Sequence, residues 1–397
     1  MDKREFLVKS GLAAVGIAAA PFARAASTTV NVGISLAMSG HVAAIGNNVW
    51  KGLSLYSDLH KDSLPAGVHI DTLLRDDKGS PDDIKRIVQE LVIRNKVTLL
   101  GGVALTPQAM AVAPVVTQAK IPLMVMNAST SSVTRKSPYI VRVSHTNWQT
   151  SYTLGVWAGG HGYKRVYTMV ADYAAGLDSK EAFAAGFKKA GGEIAGSVQT
   201  PITTADYLPY MAKVKESGAD ALYIFINAGH INAAVSAFAD SGLKKAGMKL
   251  IGPGDVSLDD ELAHMSTSAV GMITAGGYYA GNKIEANQKF LAAWKKKYGQ
   301  DAWPNEEVVA GWDGMAAYHD LIKETRGKFD TASAMKFLSH WKNPDSPRGP
   351  ISIDPKTRDI VQTIYINRVE LVNGVPFNVN FDKVPDVKDP WKELNPA

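Results

Sequence analysis

The chain has 397 residues, 46% of them hydrophobic and 20% charged, with a formal charge of +5 and no cysteine. That balance excludes a largely disordered polymer, and the length suits two or three domains at roughly 150 residues each. In the body of the chain no run of about 18 or more strongly apolar residues occurs, so nothing there reads as a bilayer span.

Residues 1–25 stand apart. Lys3, Arg4 and Lys9 flank a modest apolar run from Leu12 to Ala20, and Ala23-Arg24-Ala25 offers a small-x-small cleavage site. This reads as an export signal. Lys3-Arg4 resembles a twin-arginine motif with its first arginine replaced, so that route and the general secretory route both fit. The segment carries four cations and two anions, so its removal takes the formal charge from +5 to +3. A nucleic-acid partner is not expected at that charge. Lys188-Lys189, Lys244-Lys245 and Lys295–Lys297 each stand shortly before a glycine, where helix ends set cations against the macrodipole. With no cysteine after the cleavage site, a lipid anchor is not expected, and the periplasm is the expected address.

The mature chain opens with a strand, Val30–Leu36, then a helix-spaced segment with Val49, Leu53, Tyr56 and Leu59 near one face. A second strand, VHIDTLLRDD, leads to a helix announced by Ser80 as N-cap, Pro81 at its first position and Asp82-Asp83 in its first turn. VTLLGGV is a third strand. TPQAMAVAPVVTQAK is a helix that Pro114 either kinks or begins, and IPLMVM is a fourth strand. The alternation then restarts with strands at KRVYTMVAD, ADALYIFINAG and MKLIGP, separated by helices. Strand–helix alternation means parallel sheets covered by helices, so the expected class is α/β with two Rossmann-like lobes. Helices at Ala286–Tyr298, Asn305–Thr325 and around Ala332–Trp341 lack the strands for a domain of their own. They are expected to pack on the first lobe and the strand-rich tail on the second. This predicts a first lobe of residues 26–145 with 277–348, and a second of 146–276 with 349–397.

In open parallel sheets a ligand lies beyond the carboxyl ends of the strands. Small or polar residues stand at these ends: Ser39-Gly40, Thr106 and Asn127-Ala128-Ser129-Thr130 in the first lobe, and Asp172-Tyr173, Asn227-Ala228-Gly229 and Gly254-Asp255 in the second. Neutral hydroxyls and amides beside a helix start suit a carboxylate; the same residues also suit helix caps and turns. No GxSxG elbow, phosphate-binding GxxxxGK[ST] loop or HExxH is present, and no two histidines are spaced i, i+4. Gly252-Pro253-Gly254 lacks the third glycine of a dinucleotide fingerprint, and Asp259-Asp260-Glu261 reads as the first turn of a helix. No enzyme, metal or cofactor is therefore expected.

The ordered blocks VNVGISLAMSGHVAAIGNNVWKG, GGVALTPQAMAVAPVVTQAKIPLMVMNAS, ADYAAGLD, KLIGPGD, GYYAGNKIEANQKFLAAWKKKYG, GWDGMAAYH and SPRGPISIDPKTRDIVQTIYI resemble the type I periplasmic binding proteins of branched-chain amino-acid ABC importers. The resemblance spans essentially the whole mature chain. It implies two lobes joined by a three-strand hinge that close on a small hydrophobic carboxylate, an ABC permease as partner, and a monomer. It places the ligand's carboxylate against Thr106 and the Asn127, Ala128, Ser129 segment, and makes Asp255 the partner of an α-ammonium. Ile45 stands where an aromatic is common, and the usual second-lobe tyrosine is replaced within the Tyr173-Ala-Ala-Gly stretch. Tyr173, Asn227 and Tyr278 complete the implied pocket, although Tyr278 also suits an ordinary core. Relatives with the SPRGPISIDP…RDIVQ tail include binders of aromatic carboxylates, for which Asp255 would meet a hydroxyl or serve the hinge. A ligand-presenting sensor would use the same fold.

Overall fold

The computed structural model describes residues 27–227 and 229–396; the export signal expected at 1–25 and Ala228 lie outside the described residues. The chain runs β1 (Thr28–Leu36), α1 (Ala43–His60), β2 (Val68–Asp76), α2 (Pro81–Ile93), β3 (Leu99–Gly102), α3 (Thr106–Ala119), β4 (Leu123–Val125) and β5 (Ile140–Arg142). These strands form a parallel sheet in the order β2-β1-β3-β4-β5. Val32, Ile34, Leu99, Met124 and Val125 are almost fully buried, as expected for strands covered on both faces. Ser80 accepts a hydrogen bond from the Asp83 amide, capping α2 where its sequence predicts. Pro114 falls inside α3. Sequence reading passed over β5 because three residues ending in arginine carry no periodic signal.

The second body contains α4 (Thr153–Gly160), β6 (Arg165–Ala171), α5 (Ala174–Lys189), β7 (Glu193–Thr200), α6 (Leu208–Glu216), β8 (Ala221–Phe225), α7 (Ile231–Asp240), β9 (Lys249–Pro253), α8 (Asp259–Leu262) and β10 (Ile273–Gly276). Then come α9 (Glu285–Tyr298), α10 (Glu306–Thr325), α11 (Thr331–Ser339), β11 (Lys342–Asn343), β12 (Ile351–Ile353), β13 (Ile360–Val372), β14 (Val375–Val387) and α12 (Pro390–Leu394). The second sheet has the order β11-β12-β13-β10-β9-β8-β6-β7, with β14 on β13. Strands β6 to β10 are parallel, whereas β13 runs antiparallel to β10 and to β14. The chain passes between the two bodies after β5, after β10 and through β11–β12, which makes the hinge three-stranded. Among the described residues no helix is long and apolar enough to cross a membrane.

The returning helix α10 is buried along most of its length and shares one hydrophobic core with α1, β1 and β4. Two glycines set how close α1 and α10 come. A Cβ at Gly52 would stand 1.8 Å from the Val308 carbonyl oxygen, and one at Gly311 would stand 2.0 Å from that of Val49. No side chain fits there, so the two backbones touch. This contact brings the first turn of α10 to the cleft beside Asn48 of α1.

Candidate functional site between the lobes

A cavity of about 70 Å³ lies between the carboxyl ends of the two sheets. Ile45, Leu105, Thr106, Asn127, Ala128, Ser129 and Glu307 line it from the first lobe, and Tyr173, Phe225, Asn227, Asp255 and Leu258 from the second. A larger hollow of about 500 Å³ beside Gly162, Asp220 and Gly247 lies at the opposite, amino-terminal ends of β6, β8 and β9. Parallel strands do not bind ligands at that end.

Three devices build the first-lobe wall. The first is α3, whose 14 residues begin at Thr106, so its orphan first-turn amides and the positive end of its dipole open beside the cavity. The Thr106 hydroxyl donates to Thr130 Oγ1 at 2.9 Å, linking the two polar strand ends.

The second is a buried arginine. Arg142, at the end of β5 and 0% exposed, donates to the carbonyls of Ala128 (3.0 Å) and Thr130 (2.8 Å). The amide of Asn147 takes the carbonyl of Ser129 at 3.0 Å. Three successive carbonyls after β4 are thus occupied by protein donors, which strips this wall of acceptor character and favours an anion. Asp359, before β13, pairs with Arg142 at 2.7 Å and with Lys392 of α12, and accepts from Thr134. The abrupt change after β4 from apolar residues to neutral polar ones is therefore a segment hung on a buried guanidinium.

The third is Asn127, whose side chain donates to the Ala104 carbonyl at 2.7 Å and ties the β3 and β4 ends together.

The second-lobe wall is more apolar. Tyr173 and Phe225 stand with ring centres 6.2 Å apart and planes tilted by 41°. Asp255 is its acid, with its side chain 31% exposed. His145, on the first hinge crossing and 6% exposed at its side chain, sits between two carboxylates: Nε2 lies 3.4 Å from Asp255 Oδ2 and Nδ1 lies 3.1 Å from Glu306 Oε1. The alignment is that of ion pairs, short of good hydrogen bonds. With both ring nitrogens facing carboxylate oxygens, both carry protons. Burial alone would lower the His145 pKa, but Glu306 and Asp255 outweigh it and push it up to about 10. Burial likewise would raise the Asp255 carboxyl, and the His145 charge holds it below the usual carboxylate range. Glu306 also accepts from the amide of Gly277 on the second crossing at 3.2 Å. The third crossing holds Arg348, which pairs with Asp313 of α10 at 3.0 Å, both side chains 0% exposed.

Beside the cavity the lobes meet through α8. Asp260 accepts from Asn48 of α1 at 3.0 Å and from Asn305 at the start of α10 at 2.9 Å. The same two amides donate to Glu307 Oε2, at 3.0 and 3.3 Å. Burial, with Asp260 and Glu261 nearby, pushes Glu307 up to about 8 despite those two donors.

Of the residues singled out from sequence, Ile45, Thr106, Asn127, Ala128, Ser129, Tyr173, Asn227 and Asp255 come together around this one cavity. Tyr278 does not. It lies in the first-lobe core, 4% exposed, with its hydroxyl donating to Asn287 Oδ1 at 3.0 Å. The resemblance implied it as a pocket wall, but the chain has turned toward α9 by that point. Leu105, Phe225, Leu258, Glu307 and, behind the wall, His145 were not foreseen. Asp259-Asp260-Glu261 do form the first turn of α8, and Asp260 in addition joins the lobes.

The family model described as "Periplasmic binding protein" matches residues 29–374. The chain is 35% identical over 387 residues to Leu/Ile/Val-binding protein homolog 6 of Brucella melitensis, covering 96% of this chain and 98% of that protein. It is also similar to the solute-binding protein of an ABC transporter from Rhodopseudomonas palustris BisB5, solved in complex with 3,4-dihydroxybenzoic acid. There the identity is 42%, the TM-score 0.86, and the coverage 92% of this chain and 99% of that one. A counterpart from Rhodopseudomonas palustris HaA2, in complex with p-hydroxybenzoic acid, is 36% identical with a TM-score of 0.86, over 91% of this chain and 98% of that one. Two Rossmann-like lobes on a three-stranded hinge, a cavity where their strand ends face each other, and this likeness along nearly the whole chain have one common meaning: the chain belongs to the periplasmic binding protein family, the solute-binding proteins of ABC transporters.

Proposed function

We propose that this chain carries a hydroxylated aromatic carboxylate through the periplasm to the permease of an ABC importer, as a monomer and without turning it over. The observation that carries the reading is the state of Asp255. This acid already has the His145 imidazolium at one oxygen, so a neutral O–H donor suits it without a cation from the ligand. The carboxylate-favouring wall at Thr106 and Ser129 and the ring-lined wall at Tyr173 and Phe225 fit a flat acid with a polar far end. Relatives at 42% and 36% identity were solved with such acids. A branched-chain amino acid is the second reading: Asp255 stays ionised, and the curated relatives carry Leu/Ile/Val-binding names.

Thermal unfolding of ligand-stripped protein separates the two. A ligand bound only by the native state at about 100 times its Kd adds about 2.7 kcal/mol of stability. We expect 4-hydroxybenzoate and 3,4-dihydroxybenzoate to raise the midpoint and leucine to leave it unmoved. A shift with leucine alone replaces the first reading with the second. In the same assay Thr106→Val and Ser129→Ala are each expected to weaken binding by about 1.5–3 kcal/mol, the worth of a hydrogen bond to a charged group. Unchanged affinity in both would put the carboxylate elsewhere.

A further inference from the structure

Glu307 is the one first-lobe residue with an ionisable side chain among those lining the cavity. It is 9% exposed, and its Oε2 is taken by the amides of Asn48 and Asn305. No hydrogen bond reaches its Oε1 among the described residues. The ionisable groups that face it are acids: Asp260, which shares the same two amides from across the cleft, and Glu261, on α8. Glu306, next to it on α10, adds negative charge, while burial pushes the carboxyl of Asp259 in the same turn up to about 7; α1 contributes the neutral Asn48, and the His145 imidazolium is spent on Glu306 and Asp255. Two amides aimed at Oε2 leave Oε1 as the oxygen that can hold a proton.

From this arrangement we propose that Glu307 is a specificity-determining residue: in the closed cleft it stands as a neutral carboxyl whose O–H is offered to a ligand oxygen, and closure on the ligand takes that proton from solvent. The inference rests on the hydroxylated-acid reading above and deepens it. A phenolic acid leaves Glu307 protonated, because it brings no positive charge. An ammonium ligand would ionise Glu307 and release the proton. Opening the cleft separates Asp260 from Asn48, Asn305 and Glu307, and returns both acids to water, where a glutamate ionises near its ordinary value. Closure therefore raises the affinity of Glu307 for a proton, and ligand affinity falls as pH rises through the interval between the open and closed values.

The test is the affinity of the full-length mature protein for 4-hydroxybenzoate from about pH 6 to about pH 8, where the ligand's carboxylate is ionised and its phenol is not. We expect the wild type to lose affinity by about tenfold or more across that range. E307Q keeps a neutral donor and should show a clearly shallower dependence on pH, what is left coming from Glu261, whose carboxyl burial and Asp260 push up to about 7, whereas E307A should bind weakly throughout. Calorimetry in two buffers of different ionisation enthalpy should report more proton uptake on binding for the wild type than for E307Q. A flat wild-type profile, or an equal slope in wild type and E307Q, overturns the proposal while leaving the ligand reading intact. If neither hydroxybenzoate binds and leucine does, the ligand reading and the role of Glu307 fall together.

Discussion

Arg142→Ala is expected to destabilise the protein by about 3–5 kcal/mol, the cost of removing one partner from a buried ion pair. The guanidinium is 0% exposed and holds Asp359 together with the carbonyls of Ala128 and Thr130. Its loss leaves Asp359 with Lys392 and Thr134, the Ala128 carbonyl without its donor, and the Thr130 carbonyl with only the Val133 amide. Arg142→Lys should recover only part of the loss, since an ammonium cannot reproduce the planar fork that reaches a carboxylate and two carbonyls at once. Urea unfolding of the three proteins measures this directly. Ligand affinity, read well below the unfolding midpoint, should also fall in Arg142→Ala, because the segment that meets the carboxylate is hung on this side chain. A variant as stable as the wild type would show that the pairing contributes no net stability.

His145→Gln is expected to produce the second large effect, and one that depends on pH. In the wild type, one buried imidazolium stands between Asp255 and Glu306; glutamine leaves those carboxylates without a countercharge. The expected cost is about 3–5 kcal/mol near neutrality. The sign follows from the direction of the shift. The folded protein holds the His145 proton more tightly than the unfolded chain, with a pKa raised from 6.5 to about 10. Its contribution is therefore complete below about pH 6.5, still mostly present at pH 7, and lost as pH climbs toward 10. The gap in stability between wild type and His145→Gln should shrink over that interval. Melting curves of both proteins across it supply the measurement, and a gap that widens or stays constant would show that His145 is neutral in the folded state.

The parts of this molecule that were legible in its sequence are those where a local rule has one reading. Ser80-Pro81-Asp82-Asp83 could begin a helix and little else, and an apolar run such as Ile121–Met126 had to be a covered strand. The strand-end rule then carried Thr106, Asn127, Ser129, Tyr173 and Asp255 to one cavity without any knowledge of side-chain geometry. Tyr278, which the resemblance alone had implied, lies outside the cavity because β10 is followed by a hinge crossing that leads the chain out of the cleft. Residues that act through distant partners were silent. His145 sits in VSHTN, a stretch without periodicity, and both its carboxylates arrive from far along the chain. Glu307 gave no signal of its own, because an acid in the first turn of a helix is what the macrodipole favours. Arg142 ends a three-residue strand and gave no signal, because the groups that bury it, Asp359 and Lys392, lie more than 200 residues further along the chain.

The pair of glycines that lets α1 and α10 touch also sets the order in which the molecule can be completed. Asn48 and Glu307 are 259 positions apart in sequence, yet they are neighbours across that seam. The first body to leave the ribosome is thus the last to be finished, since its core lacks a wall until the end of α10 has emerged. The second body is nested inside this gap, and much of its sheet is made from consecutive segments of chain. Closing so long a loop is entropically slow compared with local pairing, so the early half stays open while the later half can already be assembling.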